Sequence, residues 1–319
     1  MVNLVAAEKQ LLHWVMKQTG LRPQTIEIEH GTTMNIWAPS ETTKKAKAQA
    51  SCKEEKNQKK ITKKPAVVLI HGFAAEGILT WQFQVKALTG KYAVYVPDLL
   101  FFGGSMTCNM TDRSPEFQAE CLVKGLMKLG VDTCTAVGFS YGGFVAFKMA
   151  DLHPHMVNSL VISGSITAYT DSINAEIMGR LGFSSPLEML MPTSVEGVKT
   201  LFKVALYKKV WIPDRLARDF LQGMFNNRKE KAELLETLVS SSKDVTIPKF
   251  PQRIHLLWGE HDQIFNMKIA QGLKDQLGDK ATLQIIKKGG HLVHLERPCI
   301  YNRRLKAILA SLHTDVTQQ

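Results

Sequence analysis

Cysteine is scarce in this chain, and the few cysteines that it has are scattered. The 319 residues include five of them, an odd number with no tight spacing. Such a set excludes a disulfide framework and is typical of a reducing compartment. No stretch approaches the roughly 18 consecutive apolar residues of a membrane span. Glu8, Lys9 and Lys17 interrupt any apolar leader, and the last residues form no retention or peroxisomal signal. We therefore expect a cytoplasmic protein.

Motifs for phosphate, dinucleotide or metal binding are also missing. The glycine-rich residues 138–143 lack the lysine of a phosphate-binding loop. His261, His291 and His294 have no cysteine or acidic partner at the spacing of a metal site. We expect neither a cofactor nor a metal ion.

Negative charge is in short supply, and the net charge of +11 is unevenly distributed. Residues 41–64 hold nine lysines against three glutamates and almost no large apolar side chain. Such a stretch cannot pack a core. We interpret it as a solvated loop between the second and third strands, with contact to anionic lipid or a partner as the alternative. No aromatic residue is interleaved with the lysines, which argues against nucleic-acid binding.

The N-terminal residues 3–18 have the pattern of an amphipathic helix. Their apolar side chains recur at helical spacing, at Leu4, Val5, Leu11, Leu12, Val15 and Met16. We expect this helix to pack on the domain or on a lid, with attachment to a membrane surface as the minority interpretation. The sequence leaves the oligomeric state open.

Residues 138–142 read Gly-Phe-Ser-Tyr-Gly, a G-x-S-x-G pattern. A small, mostly apolar run precedes it as in a buried strand, and a helix pattern follows. A serine on such a strand-to-helix turn is pushed out of the sheet with its hydroxyl exposed. The glycines suit a turn in which two backbones come too close for side chains.

A nucleophilic serine needs a base, and the base needs an orienting carboxylate. Downstream of Ser140, one predicted strand ends in a polar turn that contains Glu260, His261 and Asp262. The next predicted strand leads through two lysines and two glycines to His291, and His294 follows. The order of serine, acid and histidine therefore fits a nucleophile, an orienting acid and a base. Glu260 and His261 are alternatives to Asp262 in the same turn, and His294 is the alternative to His291.

With these motifs, the chain resembles the α/β-hydrolase fold superfamily over residues 26–312. The His-Gly-Phe of residues 71–73 is similar to the family's oxyanion loop, and residues 98–105 are similar to its D-x-x-G-x-G-x-S loop with altered spacing. Residues 290–298 resemble the terminal G-H-x-x-x-x-E-x-P pattern. Among family members, monoacylglycerol-lipase-like hydrolases and C–C-bond hydrolases of aromatic ring-cleavage products are the most similar in pattern.

The resemblance implies an α/β fold: a mostly parallel, eight-stranded sheet flanked by helices, with a helical cap inserted after strand six. Strand patterns stop near residue 166 and return at residue 253, and prolines break the helical patterns between them. We expect a core at residues 1–165 that includes the lysine-rich loop, a cap at 166–249, and a second core segment at 250–319.

The resemblance also assigns roles to residues. Ser140 is the expected nucleophile, His291 its base and Asp262 the orienting acid. The backbone N–H groups of Phe73 and Tyr141 are the expected oxyanion hole. We expect His71, Phe101, Phe102 and His294 at the substrate site, although support of the loop is the alternative for His71 and core packing is the alternative for the two phenylalanines.

These expectations lead to a serine hydrolase that cleaves a carboxylic ester through an acyl-enzyme. Apolar residues of the cap favour a hydrophobic acyl group or form only the core of the cap: Met189, Leu190, Met191, Phe202, Phe220, Met224 and Phe225. The alternatives are a C–C-bond hydrolase, a ligand receptor on the same fold, and an acyltransferase. Epoxide hydrolases and haloalkane dehalogenases of this fold use an aspartate nucleophile, so Ser140 argues against them.

Overall fold

A computed structural model describes residues 3–40, 64–241 and 248–314. Residues 41–63 of the lysine-rich stretch at 41–64 lie outside these ranges, so the solvated loop stays a prediction. No helix in the described part of the chain combines the length and the apolar character that crossing a bilayer requires.

The centre of the molecule is a sheet in which eight strands follow one another in the order β1-β2-β4-β3-β5-β6-β7-β8. In chain order, these strands are β1 (Leu21–Glu29), β2 (Thr32–Pro39), β3 (Ala66–Ile70), β4 (Ala93–Pro97), β5 (Cys134–Phe139), β6 (Val157–Ser163), β7 (Arg253–Gly259) and β8 (Ala281–Ile286). A two-residue strand, Met106–Thr107, pairs with β2 at one side. The predicted eight-stranded, mostly parallel sheet is confirmed.

Strand direction follows from burial. From β3 onwards the strands pair in parallel, whereas β2 is antiparallel to both β1 and β4. All six residues of β5 are buried, as expected for a parallel strand that is covered on both faces. β1 is exposed or partly buried except at Leu21 and Ile28, because it lies at the edge of the sheet.

Helices flank this sheet. In chain order they are α1 (Leu4–Gln18), α2 (Gly77–Thr80), α3 (Gln82–Leu88), α4 (Pro115–Lys128), α5 (Tyr141–Leu152), α6 (Asp171–Leu181), α7 (Pro186–Leu190), α8 (Val195–Ala205), α9 (Asp214–Met224), α10 (Arg228–Leu238), α11 (Met267–Leu277), α12 (Val293–Glu296) and α13 (Pro298–Thr314). Ser114 caps α4 by accepting a hydrogen bond from the Phe117 N–H, as its sequence predicts. Residues 77–88 form two short helices that meet at Trp81.

The segment between β6 and β7 carries the five helices α6 to α10, so the helical insertion after strand six is confirmed. The sequence pattern predicts no strand within this insertion, but the structure contains two short strands there. Tyr169–Thr170 pairs in parallel with Val239–Ser240, which holds the two ends of the insertion together. The exact domain boundaries stay a prediction.

Parallel pairing places the important loops at one edge of the sheet. Ile70 pairs with Gly138, Phe139 pairs with Ser163, and Gly259 pairs with Ile286, so these strands end at one level. The carboxyl edge of parallel strands is where α/β proteins bind ligands. The loops that follow β3, β5, β7 and β8 therefore meet above this edge.

Candidate active site

Ser140 occupies a strained turn between β5 and α5. Its φ of 51° and ψ of −122° lie outside the regions that non-glycine residues prefer. The Ser140 N–H donates to the Ser163 carbonyl at 2.9 Å, which fixes the turn to the neighbouring strand. Strain of this kind persists only where the surroundings impose it, and it clusters at functional sites. The half-buried serine lines a cavity under the cap.

The two glycines of the motif are required by close packing. A Cβ on Gly138 would lie 2.7 Å from the Cα of Gly143, and a Cβ on Gly142 would overlap the carbonyl oxygens of Ile70 and His71. Because both neighbours are backbone, they cannot rotate away. The glycines therefore let α5 start directly against β3 and β5.

Asp262 and His291 form a buried pair. The His291 Nδ1 lies 2.9 Å from the Asp262 Oδ2, and each residue is 4% exposed. The other carboxylate oxygen, Oδ1, accepts hydrogen bonds from the N–H groups of Ile264 and Phe265, both at 2.9 Å. The carboxylate is thus held in place from two sides and leaves the Nε2 of His291 as the ring nitrogen that it does not engage.

His291 shares the cavity lining with Ser140. Gly164, with a φ of 55°, makes room for the histidine ring, because a Cβ there would lie 2.7 Å from the His291 Cε1. Phe139, immediately before the serine, packs on the same ring with 4.9 Å between centroids. Residues from the ends of β5, β6, β7 and β8 are therefore brought together.

The rival acids and bases lie elsewhere. Glu260 accepts from the Lys288 N–H at 3.2 Å, and His261 is exposed and stacks on Tyr207 at 4.5 Å. Neither lines the cavity. Asp98 is buried and accepts from the Asn35 side chain at 2.7 Å and the Gly77 N–H at 2.9 Å, so it ties loops together. Burial raises the pKa of the Asp98 carboxyl.

Phe73 and Tyr141 are positioned beside the serine. Gly72 and Phe73 line the cavity, and a Cβ on Gly72 would lie 3.3 Å from the Ser140 Cβ. The Phe73 and Tyr141 rings meet edge to face, with 5.7 Å between centroids. Tyr141 is the first residue of α5, so its N–H has no carbonyl acceptor within the helix. The backbone of both residues is thus available close to Ser140.

Three residues predicted at the substrate site lie outside the cavity lining: His71, Phe101 and Phe102. His71 is fully buried, and its Nε2 accepts from the Leu99 N–H at 2.9 Å while its Nδ1 lies 2.7 Å from the Gly72 carbonyl. Burial lowers the pKa of His71 to about 4, so the neutral ring donates through Nδ1. The structure corrects the expected substrate contact of His71 to support of the His-Gly-Phe loop.

The expected substrate contact of Phe101 and Phe102 is also corrected, because both side chains pack behind that loop. Phe102 packs edge to face on His71 and Phe73, and Lys231 Nζ lies 4.5 Å from its ring centroid. Phe101 has a φ of 73° and lies under the Arg113 guanidinium. This backbone accommodates the altered spacing of the 98–105 loop, in which Gly103 packs directly on the Asp98 carboxyl.

His294 lines the cavity, and its contact with a substrate stays a prediction. Its ring is fully buried between aromatic neighbours, 4.3 Å from the Phe139 centroid and 5.1 Å from that of Trp81. Burial, together with the nearby His291, lowers the pKa of His294 to about 3. The imidazole is therefore neutral near pH 7.

The cavity has a volume of about 360 Å³ and a mostly apolar wall. Cap residues supply much of that wall: Leu190, Leu201, Phe202, Ala205, Leu206, Val210, Ile212, Leu216, Ala217 and Phe220. Of the cap residues singled out in the sequence, Leu190, Phe202 and Phe220 line it, whereas Met189, Met191, Met224 and Phe225 are buried and outside the lining.

Sequence reasoning missed the contribution of helix α1 to the cavity. Val5 and Glu8 line it. The helix is held against the cap because the Leu4 N–H donates to the Asp219 carboxylate at 2.8 Å. Lys9 pairs with Glu76, just after the His-Gly-Phe loop, at 2.7 Å. The only sequence signal for this placement is the amphipathic pattern of residues 3–18, which does not specify a partner.

A resident metal would need a cluster of ligands. Within residues 3–40, 64–241 and 248–314, no three His, Cys, Asp or Glu side chains come together as metal ligands. The chemistry that the described site can supply is that of Ser140, His291 and Asp262 with nearby backbone N–H groups.

Comparison with known proteins places this geometry in context. Residues 65–298 match the family model of the α/β hydrolase fold. The chain is 23% identical to the monoacylglycerol lipase ABHD6 of Bos taurus, over 79% of this chain and 77% of that protein. Similar solved structures include a bacterial membrane phospholipase A, with a TM-score of 0.74, 22% identity and coverage of 97% of this chain and 91% of that one.

A second solved structure represents a different reaction. The 2-hydroxy-6-oxo-6-phenylhexa-2,4-dienoate hydrolase of Rhodococcus sp. strain RHA1 has a TM-score of 0.68 and 16% identity, over 92% of this chain and 99% of that chain. At these identities, the two structural similarities establish the shared fold alone.

Proposed function

Because this chain belongs to the α/β hydrolase fold family, we propose that it is a serine hydrolase that cleaves a carboxylic ester with a hydrophobic acyl group. One observation carries the proposal. The strained Ser140 and His291, which is paired with the buried Asp262, line a single, mostly apolar cavity. This arrangement supports the roles proposed for Ser140, His291 and Asp262, and the apolar wall supports an acyl chain as the bound group.

In the first half of the reaction, the Ser140 Oγ attacks the ester carbonyl carbon while the His291 Nε2 takes the hydroxyl proton. Asp262, bonded to Nδ1, holds the ring in the required tautomer and stabilises the imidazolium. The bond to the alkoxy oxygen then breaks, and His291 returns the proton to the departing alcohol. An acyl-enzyme on Ser140 is left.

In the second half, water attacks the acyl carbon and gives its proton to the His291 Nε2. The bond to the Ser140 Oγ breaks, the serine recovers the proton, and the carboxylic acid leaves. The oxyanion of each tetrahedral intermediate would be bound by the N–H groups of Phe73 and Tyr141. A donor of this type typically contributes on the order of 10²–10³ in rate.

The cavity wall supports the proposed substrate class. Leu201, Phe202 and Phe220 of the cap present apolar surface to the acyl group, which gains about 0.8 kcal/mol for each buried methylene. The proposed cap at residues 166–249 would thus select the acyl chain. Glu8, Thr80 and Gln82 are polar lining residues available to the alcohol portion of the ester. We expect the substrate to be a small molecule.

C–C-bond cleavage is the second candidate, favoured by the fold shared with the dienoate hydrolase. A dienoate carries a carboxylate, which calls for a cationic partner. The part of the cavity lining that the structure describes contains Glu8 and no lysine or arginine. This charge pattern favours the neutral ester. Acyl transfer and a receptor function use the same pocket and differ in turnover.

The test compares wild type with Ser140→Ala, using Ser311→Ala on the distant helix α13 as a matched control. Each protein is treated with a fluorophosphonate probe and assayed with p-nitrophenyl esters of increasing chain length. We expect labelling and chain-length-dependent turnover in wild type and control, and neither in Ser140→Ala. Unchanged turnover in Ser140→Ala would refute the nucleophile. Labelling with no turnover of any ester would refute the ester hydrolase and favour a receptor or the C–C-bond reaction.

A further inference from the structure

The segment between helices α8 and α9 exposes large apolar side chains. Trp211 is 83% exposed and Val210 is 57% exposed. Tryptophan is normally well buried, so an exposed indole beside an exposed valine is an informative feature rather than background. We name residues 207–216 the rim segment.

The rim segment lies at the mouth of the cavity. Val210, Ile212 and Leu216 belong to the cavity lining, while Trp211 between them points away from it into solvent. The segment is also anchored at its start. The Lys208 N–H donates to the Glu296 carboxylate at 3.0 Å, and the Leu292 N–H donates to the Ala205 carbonyl at 3.1 Å. Trp211 is therefore presented from a fixed base beside the cavity entrance.

The charge of this region complements an anionic surface. Residues 207–218 contain four basic residues and one acidic residue. Lys208 and Lys209 are exposed directly before Val210, and the single acid, Asp214, already pairs with Lys199 at 2.7 Å. An indole close to two exposed lysines suits the headgroup level of a bilayer, with the ring in the interface and the ammonium groups at lipid phosphates.

We propose that the rim segment docks on an anionic phospholipid surface. The alternative occupants fit the size of the feature less well. A stable contact between proteins buries about 800 Å² on each partner, whereas a single tryptophan side chain offers roughly 150–250 Å². A protrusion of one indole and one valine next to two lysines is too small for such an interface and suits insertion among headgroups. Docking brings the cavity mouth to the membrane surface.

The test is flotation of the full-length protein with vesicles of phosphatidylcholine containing 30 mol% phosphatidylglycerol, and with vesicles of phosphatidylcholine alone. The variants are Trp211→Ser and the double variant Lys208→Glu/Lys209→Glu. The control is Trp14→Ser, which removes the 59% exposed tryptophan of helix α1. We expect binding to the anionic vesicles only, and a partition coefficient for Trp14→Ser within a factor of two of wild type.

Each lysine near an anionic surface contributes about fivefold in binding, so the double charge reversal is expected to lower the partition coefficient at least about 25-fold. Trp211→Ser is expected to lose at least about fivefold. The proposal is overturned if wild type does not float with the anionic vesicles, or if Trp211→Ser floats as well as wild type. Equal loss in Trp14→Ser would assign the contact to helix α1 instead.

Two further readouts keep the interpretation clear. Analytical ultracentrifugation that showed a dimer lost in Trp211→Ser would identify a second copy of the chain as the occupant and would also overturn the proposal. Hydrolysis of a water-soluble short-chain ester by Trp211→Ser should match wild type, because this side chain is exposed outside the cavity. Vesicle binding is independent of ester cleavage, so failure of either proposal leaves the other intact.

Discussion

The Glu296 carboxylate is hydrogen-bonded to Gly290 and thereby connects the loop of His291 to the cap. One of its carboxylate oxygens accepts from the Gly290 N–H at 2.7 Å, directly before His291, and the other accepts from the Lys208 N–H at 3.0 Å. The acidic residue of the terminal G-H-x-x-x-x-E-x-P pattern thus holds two backbones that come from different parts of the chain. The position of His291 depends on this bridge.

We predict that Glu296→Gln lowers kcat for an ester substrate roughly tenfold to a hundredfold, because small displacements of a reacting group are costly. The amide retains one acceptor oxygen, and its NH₂ group would face a second backbone N–H. Steady-state kinetics with a p-nitrophenyl ester check this, with Glu196→Gln on the exposed face of the cap as the control for lost charge. A kcat equal to that of the control would contradict the positioning role, whereas a change in KM alone would indicate substrate contact.

Replacing Asp262 by asparagine tests the tautomer argument. In Asp262→Asn the side-chain carbonyl still accepts from the Ile264 and Phe265 N–H groups, so the amide NH₂ faces the His291 Nδ1. The ring is then driven to carry its proton on Nε2, where it cannot act as a base. We predict a fall in kcat on the order of 10⁴, with Glu260→Gln close to wild type. A fall of less than tenfold would point to another acid.

The close packing of the serine turn predicts a contrast between two glycines. In Gly142→Ala the new methyl group would overlap the Ile70 and His71 carbonyl oxygens, and we expect a loss of about 1–3 kcal/mol in the free energy of unfolding. Gly272→Ala lies in the interior of α11 with open space around its Cα and should gain up to about 1 kcal/mol. Urea denaturation measures both. Equal effects would mean that the turn is less tightly packed than described.

Burial of His294 predicts acid sensitivity of the fold. The pKa of this imidazole falls from 6.5 to about 3 on folding. The stabilising contribution is therefore fully present above pH 6.5 and is lost as the pH falls towards 3, because the unfolded chain binds the proton more readily. Because pH 5 lies about 1.5 pH units below the unfolded pKa of 6.5, the free energy of unfolding is expected to be about 2 kcal/mol lower there than at pH 7.

The measurement is urea denaturation at pH 7 and pH 5 for wild type, His294→Leu and His155→Leu. We expect wild type to lose about 2 kcal/mol more than His294→Leu over this interval. His71, whose pKa burial lowers to about 4, contributes in the same direction in all three proteins. The exposed His155 serves as the control. Identical pH dependence in wild type and His294→Leu would contradict the buried neutral ring.

Local patterns predicted most of the sheet because each depends on neighbours along the chain. The run before Ser140 is entirely buried, as its composition suggests, and the turn at Gly31 joins the antiparallel edge strands. The order of Ser140, Asp262 and His291 predicted a shared edge, since parallel strands end at the same side of a sheet. The Asp262–His291 hydrogen bond is the geometry that this order implies.

The sequence was a poorer guide to side-chain direction. Phe101 and Phe102 lie in the 98–105 loop, where we expected them to contact the substrate. The positive φ of Phe101 and the packing of Phe102 on His71 instead direct the two rings away from the cavity. Nothing in the composition of that loop specifies this path. It follows from the fit of Gly103 against the buried Asp98.

The sequence by itself determined the nucleophile turn, the succession of strands along the chain and the residues available at their ends, because these depend on backbone propensities and spacing over a few residues. Only the tertiary structure decided the shape of the cavity. Its wall joins Val5 to cap residues more than 200 positions away, and the Leu4–Asp219 hydrogen bond secures that contact. Contacts between distant segments depend on how whole elements pack, which no local pattern encodes.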